Sequence, residues 1–188
     1  MEAVCVWDTV GSIGRQTRTS DIRKKLWHRF HRMTVWAPIK RLYHAVSIDE
    51  RRTQYFPHTL IDQRMSDEQL IEEVWFPGVH SDVGGGYKDD RSLADIGLRW
   101  MLDKVRDELK ISSELLSELN PDPLGPMHNS EGGILFSLMR KRSRAVPRGS
   151  ALHSSVRVRI SGPLRRFHAH REPSGNYEPL ALTLADFG

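Results

Sequence analysis

The chain has 188 residues, a formal net charge of +4, 38% hydrophobic residues and 28% charged residues, a composition that fits one globular core and excludes a disordered chain. Its single cysteine excludes an internal disulfide, and no apolar run approaches the roughly 18 residues that a membrane span requires. The N-terminus also lacks the basic and apolar regions of a signal peptide, so we expect a soluble protein that is cytoplasmic as made.

The first predicted element is a short strand that ends at an aspartate. Residues 3–7 form an apolar run, and the small, turn-forming residues that come after Asp8 end it. The string Val10-Gly11-Ser12-Ile13-Gly14 differs from the G-x-S-x-G elbow of serine hydrolases, because valine stands in place of the first glycine. The sequence therefore places Asp8 at a strand end and contains no nucleophile elbow.

Residues 15–42 are predicted to be a basic amphipathic insertion. Apolar residues within 21–33 recur at helical spacing, and the basic side chains lie mostly off that face. Because basic and aromatic residues continue through 15–52, the segment suits a lid or a contact with an anionic membrane surface. The alternative is an ordinary solvated helix that packs on the domain. Nucleic-acid binding is not expected, since no reader motif accompanies the charge.

Two further strands are predicted near 43–48 and 72–76, where β-branched and aromatic residues are frequent. The charged string Asp49-Glu50-Arg51-Arg52 follows the first of these strands. Its side chains are expected to pair with one another near the sheet edge, which is a structural role.

A histidine and a run of glycines follow the third strand. Pro77-Gly78 ends that strand, so His80 is expected on a loop just beyond it. The glycines 84–86 permit positive φ angles and close backbone approach. This pattern suits a catalytic histidine, and the alternative is a tight turn that contains a hydrogen-bonded histidine. Asp82 is expected to cap the turn by accepting backbone N–H groups.

The second half of the chain offers one clear element. Apolar residues at helical spacing predict a helix over 93–109, and its Trp100 and Met101 are expected in the core. Residues 120–150 form a turn-rich loop region that begins with a proline-rich break. No cofactor is expected, and no metal site either, because the remaining histidines lack the spacing of a known ligand set.

Several strings resemble the catalytic-domain family of type VI secretion phospholipase effectors, which are α/β-hydrolases. They are WDTVGSIG (7–14), YHAVSIDERR (43–52), VWFPGVHSDVGGGY (74–87) and LADIGLRWML (93–102). Residues 152–156 and 176–180 resemble the family's closing segment. The resemblance implies an α/β fold with a partial α/β-hydrolase-like sheet and flanking helices, in which the N-terminal strands and the nucleophile elbow are missing. On this interpretation residues 1–188 are the C-terminal part of one α/β-hydrolase-like domain.

By the same resemblance Asp8 corresponds to the acid of a Ser-His-Asp triad and His80 to its base, while the serine belongs upstream of this chain. The implied activity is that of a serine lipid-ester hydrolase, phospholipase-like, which is inactive as this chain alone. A soluble short-chain or glycan ester is the alternative substrate. The family's effectors are secreted by a type VI system, so a secretion-apparatus or immunity protein is the implied partner.

Two other hypotheses stay open at this point. One is a non-catalytic binding module for a membrane surface or a protein partner, suggested by the basic segment and the missing nucleophile. The other is a complete enzyme that uses Ser12, Ser81 or another nucleophile in an unfamiliar arrangement.

Overall fold

A computed structural model describes residues 2–10, 35, 38–52, 55, 57, 59–61, 66–130, 142–162, 177 and 179. The predicted helix at 21–33 and most of the basic insertion at 15–42 lie outside these residues. Their lid or membrane role therefore stays a prediction. Among the described helices, none is both long and apolar enough to cross a bilayer.

The described strands form one parallel sheet. Its strands are β1 (Ala3–Trp7), β2 (Arg41–Ser47), β3 (Leu70–Phe76) and β4 (Ala151–Leu152), and their order in the sheet is β1-β2-β3-β4. Each neighbouring pair runs parallel. The three longer strands agree with the predicted ones, and the two-residue β4 was not predicted.

In the described part of the chain four helices accompany the sheet, which makes the fold α/β. They are α1 (His80–Gly84), α2 (Ser92–Leu109), α3 (Ser113–Ser117) and α4 (Ser154–Ser161). The helix predicted over 93–109 is confirmed and begins one residue earlier. Neither α3 nor α4 was predicted.

The predicted loop position of His80 is wrong, because His80 is the first residue of helix α1. The chain enters the helix directly after Gly78, whose φ of +116° is unfavourable for other residues. A Cβ at Gly78 would lie 2.6 Å from the Cβ of Asp82. The Asp82 carboxylate accepts the Val79 N–H at 3.0 Å, so it accepts a backbone N–H as predicted, but it caps the start of helix α1 and not the glycine turn.

Apolar side chains cover both faces of the sheet, as a buried parallel sheet requires. Neighbouring residues alternate between the faces: Tyr43 packs in the cluster that contains α2, while Leu42 packs in a cluster on the opposite face. In β3, Phe76 belongs to the first face and Trp75 to a third cluster with Val156 of α4. Burial of Met101 in the α2 cluster confirms its predicted core position. Packing on both faces therefore holds the strands in place, and with them the residues that follow their carboxyl ends.

Candidate functional site

Three strands deliver polar residues to one edge of the sheet. Asp8 comes directly after β1, Ser47 is the last residue of β2, and His80 lies four residues after the end of β3. Because the strands are parallel, their carboxyl ends lie at the same edge, which is where α/β folds place their ligand and catalytic groups. The sequence pattern predicts this convergence for Asp8 and His80, and not for Ser47.

The structure brings Asp8 and His80 into direct contact. The Nδ1 atom of His80 lies 2.7 Å from Oδ2 of Asp8. Asp8 is fully buried, whereas 28% of the His80 side chain is exposed. Within the described part of the chain, the Nε2 atom of His80 has no hydrogen-bond partner. A buried carboxylate thus holds one ring nitrogen of a histidine that is open to its surroundings.

The backbone of Asp8 has an uncommon conformation. Its φ is +43°, in the left-handed region where aspartate is tolerated better than most other residues. The Asp8 N–H donates to the Ala45 carbonyl at 2.7 Å. The next N–H, that of Thr9, donates to Nε2 of His44 at 3.2 Å. These two bonds fix the turn that aims the Asp8 side chain at the sheet edge.

His44 is itself held by a carboxylate. Because the Thr9 N–H can only donate, Nε2 of His44 is the acceptor and Nδ1 carries the proton. That Nδ1 atom lies 3.0 Å from Oε2 of Glu73, and both side chains are buried. The same carboxylate oxygen accepts the Leu60 N–H at 2.8 Å. His44 therefore ties the Asp8 turn to strand β3.

A buried arginine holds the far side of the Asp8 carboxylate. Arg144 donates from its two terminal nitrogens to Oδ1 and Oδ2 of Asp8, at 2.5 and 3.0 Å. It also donates to the Ser47 carbonyl at 2.7 Å and to the Tyr55 carbonyl. Ser47 adds its N–H and its hydroxyl to the two Asp8 oxygens, at 2.9 and 3.1 Å.

These contacts determine the charge of Asp8. Burial alone raises the pKa of Asp8, but the hydrogen bond with His80 and the Arg144 guanidinium outweigh it and lower the pKa to about 2. Asp8 is therefore a carboxylate at any physiological pH. Sequence reasoning missed Arg144 and Ser47, because neither residue belongs to a motif that links it to Asp8.

Glu50 braces the backbone of His80. Its Oε2 atom accepts the His80 N–H at 3.2 Å and the Arg52 side chain at 2.9 Å. This ion pair confirms the predicted pairing within the 49–52 string. Burial raises the pKa of Glu50, yet the hydrogen bonds from Arg52 outweigh it and the pKa is lowered. The Arg52 guanidinium lies 3.8 Å from the Tyr55 ring centroid, and that ring meets the His80 ring edge-on at 4.9 Å.

Two serines were the other candidates for the nucleophile. Ser12 lies outside the described residues. Ser81 follows His80 in α1, and among the described residues no hydrogen bond joins the two side chains. In the described ranges, no group of three or more His, Cys, Asp or Glu residues is placed to hold a metal ion.

The match to a known family covers the part of the chain that contains this site. The model of the family described as T6SS, phospholipase effector Tle1-like, catalytic domain matches residues 1–104. The chain belongs to this family. The predicted resemblance is thereby confirmed, and the family is one of phospholipase effectors of the type VI secretion system. Comparison with curated proteins gives no match, and comparison with solved structures gives none.

Both Asp8 and His80 lie within the matched residues, while Arg144 lies beyond them. The family name describes the matched part as a catalytic domain. The sheet edge where the two residues meet therefore lies in the part of the chain that the family model covers. The family name also associates the chain with lipid substrates and with secretion.

Proposed function

We propose that Asp8 and His80 are the acid and the base of a Ser-His-Asp triad that hydrolyses a phospholipid ester. The single observation that carries the proposal is the 2.7 Å contact between Nδ1 of His80 and the buried Asp8 carboxylate. It is the arrangement in which a carboxylate orients a catalytic imidazole. Membership of the phospholipase effector family supports the lipid substrate.

In this mechanism His80 moves the proton and Asp8 stays ionised. The Asp8 carboxylate holds the tautomer with the proton on Nδ1, which leaves Nε2 to take the proton of the attacking serine and return it to the leaving alcohol. The imidazolium that forms is stabilised by the adjacent negative charge. Because the pKa of Asp8 is lowered to about 2, Asp8 acts as an orienting charge and not as a proton acceptor.

We propose that the nucleophile comes from another stretch of polypeptide. No G-x-S-x-G string occurs in the 188 residues, and an α/β-hydrolase places its serine on such an elbow after a sheet strand. We propose that β1 to β4 are part of an α/β-hydrolase-like sheet, that the strand and elbow with the serine complete it, and that this chain alone has no esterase activity. Secretion by a type VI system and recognition by an immunity protein belong to the same proposal.

The test compares this chain with a longer protein that includes the coding sequence upstream of Met1. Release of fatty acid from phospholipid vesicles is measured for both, with a soluble short-chain ester as the second substrate. The longer protein is expected to hydrolyse the phospholipid, and this chain alone is expected to hydrolyse neither. His80→Ala and Asp8→Asn in the longer protein should each lower kcat by about 10⁴-fold.

A matched control separates catalysis from folding. His153 is a partly buried histidine that bonds Ser155 and lies outside the Asp8 contacts, so His153→Gln should retain most of the activity. The proposal is wrong if His80→Ala keeps most of the activity of the longer protein. It is also wrong if this chain alone hydrolyses the phospholipid and an active-site serine probe labels Ser12 or Ser81.

A further inference from the structure

A second carboxylate–histidine pair lies next to the first. The Nδ1 atom of His128 is 2.6 Å from Oδ1 of Asp82, and the His128 N–H donates to Oδ2 of the same carboxylate at 3.2 Å. Both side chains are buried. Asp82 comes two residues after His80 in helix α1, so this pair joins the helix that carries His80 to a distant part of the chain.

Asp82 also holds the backbone directly before His80. Its Oδ2 atom accepts the Val79 N–H at 3.0 Å, and its Cβ occupies the space beside Gly78 that any larger residue would need. One carboxylate thus binds the start of α1 on one side and His128 on the other. A five-residue helix has little stability of its own, so the direction of its first side chain depends on such contacts.

His128 reaches the far end of the glycine run as well. Its Nε2 atom lies 3.1 Å from Oδ1 of Asp89, which is largely exposed. The Tyr87 ring stacks on the His128 ring with 3.7 Å between centroids. The hydrogen bond with Asp82 is the largest of the effects that raise the pKa of His128. A protonated ring donates from both nitrogens, so His128 spans the chain from Asp82 to Asp89.

We propose that His128 is a positioning residue for His80, because its bond to Asp82 fixes the first turn of α1 and hence the contact between His80 and Asp8. The inner bond, to Asp82, performs this task. The outer bond, to Asp89, holds the glycine run and has no direct path to His80. The importance of His128 for catalysis rests on the proposed function, but the predicted geometry is measurable without any enzymatic activity.

The experiment is ¹⁵N and ¹H NMR of the histidine rings in this chain, assigned with His80→Gln. The His80 signal is the ¹H resonance of the proton between Nδ1 of His80 and Asp8. The ¹⁵N shifts of the ring nitrogens are read with it, because they report the tautomer. His128→Phe keeps a ring to stack on Tyr87 and removes both donors, so it should abolish most of this signal. His128→Gln retains a side-chain N–H for Asp82 and should restore a substantial part of it.

Two controls should leave the His80 signal unchanged. Asp89→Asn alters the outer bond and leaves the groups of the inner bond in place, and His153→Gln removes a histidine elsewhere. If His128→Phe does not fold, Asp82→Asn is measured in its place. This variant removes the charge that faces His128, while its amide oxygen still accepts the Val79 N–H. It should lose the His80 signal to the same extent. The proposal is overturned if the His80 signal stays intact in His128→Phe or, where that variant does not fold, in Asp82→Asn. It is also overturned if His153→Gln loses as much of the His80 signal as the variant that is measured.

The two proposals can fail separately. Absence of ester hydrolysis in the longer protein would contradict the proposed function and leave this NMR result as it is. Conversely, an unaltered His80 signal in the folded His128→Phe variant would overturn the positioning role and leave the triad assignment intact.

Discussion

Replacement of Arg144 by methionine should destabilise the protein strongly at neutral pH. Methionine retains much of the apolar stem but has no group to donate to Asp8, Ser47 or the Tyr55 carbonyl. Asp8 and Arg144 are both nearly inaccessible to solvent. Loss of one partner of a buried ion pair leaves an uncompensated charge and costs about 3–5 kcal/mol of unfolding free energy.

The pH dependence follows from the pKa of Asp8. In the folded protein the pKa of Asp8 is lowered from 3.8 to about 2. Since each pKa unit corresponds to a little over 1 kcal/mol, the ionised contacts contribute on the order of 2 kcal/mol. Because the folded pKa is the lower one, this contribution is complete above about pH 4. It is lost as the pH falls from about 4 to about 2. Arg144→Met should remove much of this contribution.

Urea unfolding at pH 7 and at pH 3 measures both effects. The control is Arg148→Met, which removes an exposed arginine from the same segment and should change the free energy of unfolding by less than about 0.5 kcal/mol. A cost below about 1 kcal/mol for Arg144→Met at pH 7, with the acid sensitivity of the parent protein unchanged, would refute the reasoning.

Three further substitutions probe the surroundings of the site by urea unfolding. Gly78→Ala places a Cβ 2.6 Å from Asp82 at a φ of +116° and should cost about 2 kcal/mol or more; a near-neutral effect would contradict the strained geometry. His44→Phe leaves the buried Glu73 without its histidine partner and should cost at least about 2 kcal/mol, and parent-like stability would argue against that contact. Burial raises the pKa of Asp49 to about 6, so its contribution is present below about pH 4 and lost as the pH rises through about 6. Asp49→Asn should therefore stabilise the protein at pH 8 by about 1–3 kcal/mol and have little effect at pH 4, and an equal effect at both values would contradict this pKa.

The main strands and the meeting of Asp8 with His80 follow from the sequence for a physical reason. Apolar runs with β-branched and aromatic residues produce buried strands, and parallel strands bring their carboxyl ends to one edge. An aspartate and a histidine that each follow such a strand are therefore expected at the same edge of the sheet, although 72 positions separate them along the chain. Local pattern is sufficient to predict the shared edge, but not the helix in which His80 lies.

The rest of the site depends on contacts that no local pattern encodes. Arg144 is 136 positions from Asp8 and lies in a basic run that is indistinguishable by composition from a solvated one. Helix α1 was missed because Pro77-Gly78 before it and the glycines after it favour a turn. The capping bond from Asp82 and its pair with His128 override that local preference.

The most direct test of the account measures how fast a fluorophosphonate labels the protein that includes the upstream coding sequence. This reagent reports the activation of a serine and requires no knowledge of the natural substrate. If His80 is the base that activates that serine, His80→Ala should slow labelling by about 10³-fold or more, while His153→Gln labels at the parent rate. Equal labelling rates for the parent and for folded His80→Ala would contradict the assignment of Asp8 and His80 to a catalytic triad.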